Sequence, residues 1–211
     1  MTLGGVLERG FLAGALAADR ARRGADACPR AAASLWSKQL MSALLPGPAL
    51  AALAGGSPPS PAILAVADGV PKAMIATPPE SLAGAPAAAA LGAWVADVVG
   101  DAAHRLASEC GLSPRVFRSN AATMAAYLCE QWERIEGVAE RAGALRRALL
   151  DEAGAPFARE ITYVTTPVPA WPRIRRRRIC CLRDRVGMRL CASCPKIPPD
   201  ERDAILRTAA R

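Results

Sequence analysis

Apolar residues recur at helical spacing along most of the chain and predict a mainly helical protein. Ala, Leu and Arg are abundant, and these residue types lead the helix-propensity scale. Ser113-Pro114 predicts the start of one helix, with the Ser113 side chain as N-cap and Pro114 at the first helical position. The other predicted helical segments are residues 7–23, 31–45, 87–110 and 136–152, with a short apolar turn at 49–53.

The hydrophobic pattern changes at residues 63–76, which predict a β-hairpin. Two short apolar runs flank Asp68-Gly69, and an Asp-Gly pair supplies the positive φ angles that a two-residue turn requires. Pro71 then has to lie at an edge, because proline donates no hydrogen bond to a neighbouring strand. Residues 55–61 are rich in Pro and Gly and predict a loop. These patterns together predict an α+β fold that is predominantly helical, with a small β-hairpin or sheet.

The C-terminal part of the chain differs from the rest in charge. The 211 residues carry a formal net charge of +8 and are enough to bury a core, so we expect one domain or one domain with an appendage. Residues 160–172 contain three prolines and predict an extended arm or strand, and the arginines follow at once. We therefore divide the chain into a mostly helical domain, residues 1–170, with its hairpin near 62–76, and a basic, cysteine-rich segment, residues 171–211.

Targeting signals are not evident in the sequence. The N-terminus lacks the basic region, apolar run and cleavage site of a secretory signal. The most apolar stretch, residues 83–99, is mostly alanine and is interrupted by Pro86 and Asp97, so it does not predict a membrane-spanning helix. These features predict a soluble cytoplasmic protein.

The strongest chemical signal is a group of four cysteines, Cys180, Cys181, Cys191 and Cys194. In a reducing compartment, clustered cysteines favour metal or redox chemistry over a disulfide framework. Four thiolates can hold a zinc ion or an iron–sulfur cluster. The Cys191-x2-Cys194 knuckle occurs in zinc sites, whereas two adjacent cysteines cannot easily turn both sulfurs to one small ion. A 2Fe–2S cluster needs two ligands on each of two irons and tolerates this spacing better, but the spacing alone leaves both options open.

The cysteine pattern resembles the C-terminal signature of the FhuF-like ferric siderophore reductases, Cys-Cys followed by a loop and Cys-x2-Cys. The preceding arginines 175–178, Leu182-Arg183 and Pro195 are also similar, as are the upstream segments 34–38 and 111–122. The resemblance implies that the segment binds a 2Fe–2S cluster and reduces siderophore-bound Fe(III) to Fe(II). The ligands it implies are Cys180, Cys181, Cys191 and Cys194. Residues 182–190 are one residue fewer than is usual in the family, and we expect the loop around Gly187 to absorb the difference.

The resemblance also implies partners. A ferric siderophore is the expected substrate, and an external electron donor such as a ferredoxin or ferredoxin reductase is expected because no nucleotide-binding fingerprint is visible. Arg175, Arg176, Arg178 and Trp171 are candidate contacts with an anionic siderophore or an acidic donor, since a positive surface attracts negative partners. The alternative for these arginines is a solvated strand flank. We expect no nucleic-acid partner, because aromatic residues are not interleaved with the arginines, and we expect at most a loose association with the inner membrane.

Two alternative functions stay open at this point. One is a zinc-binding interaction module, and the other is a 2Fe–2S electron carrier or sensor that does not act on siderophores. The remaining chemically notable residues are expected to serve packing or local bonding: His104, Cys28, Cys110 and Cys129 are predicted to have no metal role, and Asn120 is predicted to cap a helix or bond the backbone.

Overall fold

The computed structural model describes residues 1–24, 26–56, 64–74 and 87–210. The helices in these ranges are α1 (Leu3–Val6), α2 (Arg9–Arg23), α3 (Pro29–Leu44), α4 (Pro46–Leu53), α5 (Ala87–Cys110), α6 (Pro114–Trp132), α7 (Ala139–Arg146) and α8 (Pro199–Ala209). The strands are β1 (Leu64–Ala67), β2 (Val70–Met74), β3 (Ile161–Thr165) and β4 (Arg173–Arg177). The predicted α+β class is confirmed. Among the described residues, no helix is both long and apolar enough to cross a membrane.

Helix α3 lies at the centre of the helical body, where it packs against α2, α6 and the first hairpin. Its Trp36 side chain is fully buried, and the indole Nε1 donates a hydrogen bond of 2.9 Å to the carbonyl oxygen of Gly69. This bond ties the hairpin turn to the core. Gly69 has a φ of +71°, and a Cβ atom there would lie 3.1 Å from the Cα of Ala15, so the turn packs closely on α2.

The predicted hairpin is confirmed by the antiparallel pairing of β1 and β2. Asp68 and Gly69 both have positive φ values, as a two-residue turn requires. Pro71 is paired with Val66 in a two-stranded sheet, so it lies on an edge, and the register is irregular between Ala65 and Val66. Parts of the predicted hairpin and of the predicted loop at 55–61 fall outside the described residues.

Two helix predictions need correction. Ser113 occupies the N-cap position of α6, but its hydroxyl makes no capping hydrogen bond, and its carbonyl instead accepts the first backbone bonds of the helix. The segment predicted as one helix at 136–152 begins only at Ala139, because residues 134–138 form turns that include Gly137 at a φ of +81°. The same segment ends in a π-helical turn, Arg147–Asp151.

The predicted extended arm is a second antiparallel hairpin, in which β3 pairs with β4 from Ile161↔Arg177 to Thr165↔Arg173. Most of the arginine run therefore belongs to a strand, and the hairpin packs on α6. The hairpin spans the boundary that we placed at residue 170, and the two-segment division stays a prediction. Helix α8 was not predicted, although Pro199 at its first position and Asp200 and Glu201 in its first turn are favourable start signals.

Candidate metal centre

The cysteine segment is a compact structure attached to the end of β4. After Cys181, Leu182 adopts the left-handed conformation at a φ of +60°, and a short 3₁₀ turn, Arg183–Val186, ends at Gly187 with a φ of +73°. The Cys191 carbonyl accepts a 2.8 Å hydrogen bond from the Cys194 N–H, which closes the knuckle. The loop of residues 182–190 thus folds back tightly enough to bring the two halves of the motif together.

Two contacts hold the halves of this segment in place. The backbone N–H of Arg177, at the end of β4, donates a 2.9 Å hydrogen bond to the carbonyl oxygen of Ser193 in the knuckle. Lys196 forms an ion pair of 2.9 Å with Asp184 in the 3₁₀ turn. These contacts position the knuckle against the strand independently of any bound group.

The four thiols form two pairs, and each pair takes one cysteine from each half of the motif. The Sγ atoms of Cys180 and Cys194 are 3.8 Å apart. The thiols of Cys181 and Cys191 are close enough to shift each other's pKa values. Two thiolates on one tetrahedral metal ion, each about 2.3 Å from it, lie about 3.8 Å apart. The pair Cys180 and Cys194 therefore already has the spacing that one iron requires.

This pairing resolves the difficulty posed by the adjacent cysteines, because Cys180 and Cys181 belong to different pairs. Within the described part of the chain, no three or more His, Cys, Asp or Glu side chains come together as ligands for a single metal ion. Two sets of two thiols are the arrangement that a 2Fe–2S cluster needs, with two ligands on each iron. The geometry favours the cluster over a single tetrahedral zinc ion.

Three of the four cysteines are buried from solvent. Cys181 and Cys194 are each 1% exposed and Cys180 is 9% exposed, whereas Cys191 is half-buried. Ile197 packs with Cys180 and Cys194. Burial raises the pKa of the Cys180 thiol, although the Leu182 N–H donates a hydrogen bond of 3.3 Å to its sulfur. A buried thiolate here therefore needs a compensating positive charge.

Positive charge is supplied at the second pair. The neighbouring Cys191 thiol and the cations Lys38 and Arg177 together lower the pKa of Cys181 to about 4, against the opposing effect of burial. The pKa of Cys191 is raised by its interaction with Cys181 and by burial. The two pKa values therefore shift in opposite directions, which favours negative charge on Cys181.

Arg177 supplies the test of whether a 2Fe–2S cluster suits this site. Its side chain is 1% exposed, and only Nη2 has a hydrogen-bond partner, the Oδ1 atom of Asn120. Its Nε and Nη1 atoms are buried without a partner among the described residues. A buried cation with unused donors close to the Cys181 sulfur is well matched to an anionic, thiolate-bound cluster, since buried charges are normally paired. The residues at this site are therefore suited to a 2Fe–2S cluster.

Asn120 connects Arg177 to the helical body. Its Nδ2 donates hydrogen bonds of 2.9 Å to the Ser34 carbonyl oxygen and 2.7 Å to the Ser37 Oγ. The network therefore joins α3, α6 and β4 behind the cysteines. The predicted backbone bond of Asn120 is confirmed, but its contact with Arg177 was not predicted, because nothing in the local sequence indicates that partner.

Replacing Asn120 by alanine is expected to lower the free energy of unfolding by about 3 kcal/mol, because the change leaves the Arg177 guanidinium buried without its partner. Guanidinium-chloride unfolding followed by circular dichroism measures the effect. Gln131→Ala, on the same helix and half-buried, is the matched control. If Asn120→Ala and Gln131→Ala have equal midpoints, the network does not stabilise the fold.

The thiol pairing also predicts the products of mild oxidation. In cluster-free protein, we expect disulfides to form between Cys180 and Cys194 and between Cys181 and Cys191, because those sulfurs lie in contact. Peptide mapping by mass spectrometry without reduction identifies the linkages. A predominance of Cys191–Cys194 linkages would contradict the pairing.

A cavity of about 600 Å³ adjoins the knuckle. It lies between the C-terminal end of α6, the second hairpin and α8, and its wall includes Cys191, Trp171 and Arg175. Of the other predicted contacts, Arg176 donates a 2.9 Å hydrogen bond to the Pro195 carbonyl oxygen, and Arg178 is exposed outside the cavity lining. The structure therefore brings two of the four predicted contact residues, Trp171 and Arg175, to one cavity.

Sequence reasoning missed the residues that hold β4 against α6. Arg175 forms an ion pair with Glu130, and the Tyr163 hydroxyl donates a 3.2 Å hydrogen bond to the same carboxylate. Burial raises the pKa of Tyr163, so the hydroxyl keeps its proton and acts as the donor. Lys38 was likewise missed as a cation beside Cys181, although it lies in the upstream segment 34–38 that carried part of the resemblance.

A comparison with known proteins identifies this segment. A sequence model of the family described as FhuF 2Fe-2S C-terminal domain matches residues 177–196. No curated protein and no solved structure matched the chain. The matched range contains both thiol pairs and Arg177, so the predicted resemblance is confirmed for this segment and the cofactor is a 2Fe–2S cluster. The four cysteines are its candidate ligands.

Proposed function

We propose that this FhuF-like iron–sulfur protein is a ferric siderophore reductase that releases iron in the cytoplasm. The observation that carries the proposal is the position of the thiol pairs in the FhuF-type segment. Three of the sulfurs are buried, and the fourth, that of Cys191, lines an open cavity large enough for a small-molecule complex. When bound, the 2Fe–2S cluster supplies electrons one at a time, which matches the change from Fe(III) to Fe(II).

The protein's own residues have separate parts in this function. Cys180, Cys194, Cys181 and Cys191 would hold the cluster, and each thiol pair would supply two of its ligands. Lys38 and Arg177 place positive charge beside Cys181, which favours the more negative, reduced form. The apolar side chains around Cys180 and Cys194 exclude water from that pair.

The overall electron balance involves one donor and one acceptor. A reduced one-electron protein of the ferredoxin class loses an electron, and the ferric chelate gains it and becomes a ferrous chelate. Fe(II) carries less charge and binds hard oxygen ligands more weakly than Fe(III) does, so the iron is released with the chelator intact. No proton transfer or bond cleavage in the chelator is required.

Anaerobic mixing tests the function. The protein is reduced, freed of excess reductant and mixed with ferric siderophores, while a colorimetric chelator traps Fe(II). We expect release at least about tenfold faster than with an unrelated plant-type ferredoxin at equal concentration. Equal rates for the two proteins would reject the reductase and favour an electron carrier or sensor.

A further inference from the structure

The cavity beside Cys191 has a positive wall. Four arginines line it against two glutamates. Arg146 is paired with Glu133 and Asp151, and Arg175 is paired with Glu130. The other two arginines, Arg134 and Arg173, form no ion pair with any described residue, so their charge is available to a ligand.

These two arginines are held over aromatic rings. The guanidinium of Arg134 lies 5.5 Å from the ring centre of Trp171, and that of Arg173 lies 4.6 Å from the ring centre of Tyr163. An aromatic face attracts a cation without adding a negative charge beside it, whereas a carboxylate partner offsets the cation's field. The arrangement therefore orders both guanidinium groups in the cavity wall and leaves them electropositive.

The wall also offers hydrogen-bond donors. The guanidinium groups of Arg134 and Arg173 carry several N–H donors and no acceptor. Trp171 contributes its ring, which lies under Arg134, whereas its indole Nε1 is itself buried. The two unpaired guanidinium groups therefore suit a ligand rich in anionic oxygen atoms.

The cavity also adjoins the proposed redox centre, through Cys191. Cys191 is the one member of the two thiol pairs in the lining, and Ala192 and Ser193 of the knuckle line it as well. The thiolate-bound centre is itself negative, so an anionic complex can approach Cys191 only if positive side chains offset the repulsion. Arg134 and Arg173 can provide that offset.

We infer that this cavity is the binding site for the ferric complex, and that it selects oxygen-donor chelates with a net negative charge over neutral ones. The inference rests on the proposed function. It adds where the substrate binds and which net charge of the chelate the site prefers. A chelate in the cavity lies against the knuckle, with its oxygen atoms facing Arg134 and Arg173.

Binding of gallium(III) complexes tests the inference, because gallium(III) resembles Fe(III) in size and charge but is not reduced under these conditions. The probes are a trianionic gallium tris-catecholate and a neutral gallium tris-hydroxamate, titrated calorimetrically into the oxidised holoprotein. We expect the trianionic complex to bind about tenfold more tightly, and we expect Arg173→Glu and Arg134→Glu each to weaken its binding by about tenfold.

Arg185→Glu is the matched control, because Arg185 is an exposed arginine of the cysteine segment that does not line the cavity. We expect it to change the affinity by less than about twofold. The visible absorbance of the cluster is recorded for every variant, so a folding defect is recognised independently. Equal affinity for the two complexes would overturn the charge selection. Unchanged binding of the trianionic complex in both cavity variants would overturn the binding site. The site would also be overturned if the variants bound the complex normally and only their reduction by the donor protein became slower.

The two proposals fail in distinguishable ways. If gallium complexes bind in the cavity but ferric complexes release no Fe(II), the binding site stands and the reductase function fails. If Fe(II) is released at the same rate by Arg173→Glu, Arg134→Glu and unmodified protein at limiting chelate, the reductase function stands and the cavity is not its substrate site.

Discussion

Replacing Cys181 by serine is expected to leave purified protein with less than about a tenth of its iron and acid-labile sulfide, because a thiolate ligand is lost from one iron. The effect should be large, since Cys181 is 1% exposed and pairs with Cys191, so the change removes one of the two thiols of that pair. Iron and sulfide assays with visible absorption spectra, on anaerobically handled protein, measure the loss.

Two comparisons make this test specific. Cys28→Ser should keep a full cluster, because Cys28 precedes α3 and takes part in neither thiol pair. Cys191→Ser should reproduce the loss seen with Cys181→Ser, because both sulfurs belong to the same pair. A Cys181→Ser protein with unchanged absorbance and iron content would show that the ligand assignment is wrong.

Replacing Arg177 by methionine is expected to lower the reduction potential of the cluster by about 90 mV. A reduced cluster carries one more negative charge than an oxidised one, and the buried guanidinium near Cys181 favours the reduced form. An interaction of about 2 kcal/mol, reasonable for charges several ångströms apart at an effective dielectric constant of about 20, corresponds to about 90 mV for one electron. A redox titration followed by electron paramagnetic resonance measures the potential.

The control for this prediction separates charge from packing. Arg177→Lys keeps the positive charge and should retain most of the potential, whereas Arg185→Met removes an exposed charge that solvent and salt already screen. We expect Arg185→Met to shift the potential by less than about 20 mV. If Arg177→Met binds a full cluster at an unchanged potential, the Arg177 charge does not act on the cluster.

Much of the fold could be predicted because its boundaries are marked by residues with strong local preferences. Asp68 and Gly69 supply the positive φ values of the first hairpin turn, and Gly111 and Pro114 mark the end of α5 and the start of α6. The predictions that were wrong depended on weaker signals. Ser113 was expected to cap α6 through its hydroxyl, but its side chain makes no capping bond, since residue type shows only that a cap is possible and the hydroxyl's orientation decides whether it forms.

Only part of the candidate site was predicted from the sequence. The four cysteines were evident from their spacing, but their grouping was not, because the sequence does not show that Cys180 and Cys181 face different partners. The arginine run appeared uniform in the sequence. In the structure, Arg177 is buried, Arg175 is paired with Glu130 and Arg173 is exposed at a cavity. The three residues share one face of β4, so their environments differ because each lies at a different depth along the strand and meets different neighbours.

The sequence by itself determined the ligand chemistry, the basic character of the C-terminal segment and the approximate positions of most of the helices before residue 152. These properties depend on residue identity and on spacing along the chain, so they can be recognised without a structure. Only the tertiary structure decided how the thiols pair, that Asn120 of α6 holds the buried Arg177, and that Cys191 is the cysteine at the cavity. Each of these depends on contacts between residues far apart in the chain, and those contacts form only when α3, α6, the second hairpin and the knuckle pack together.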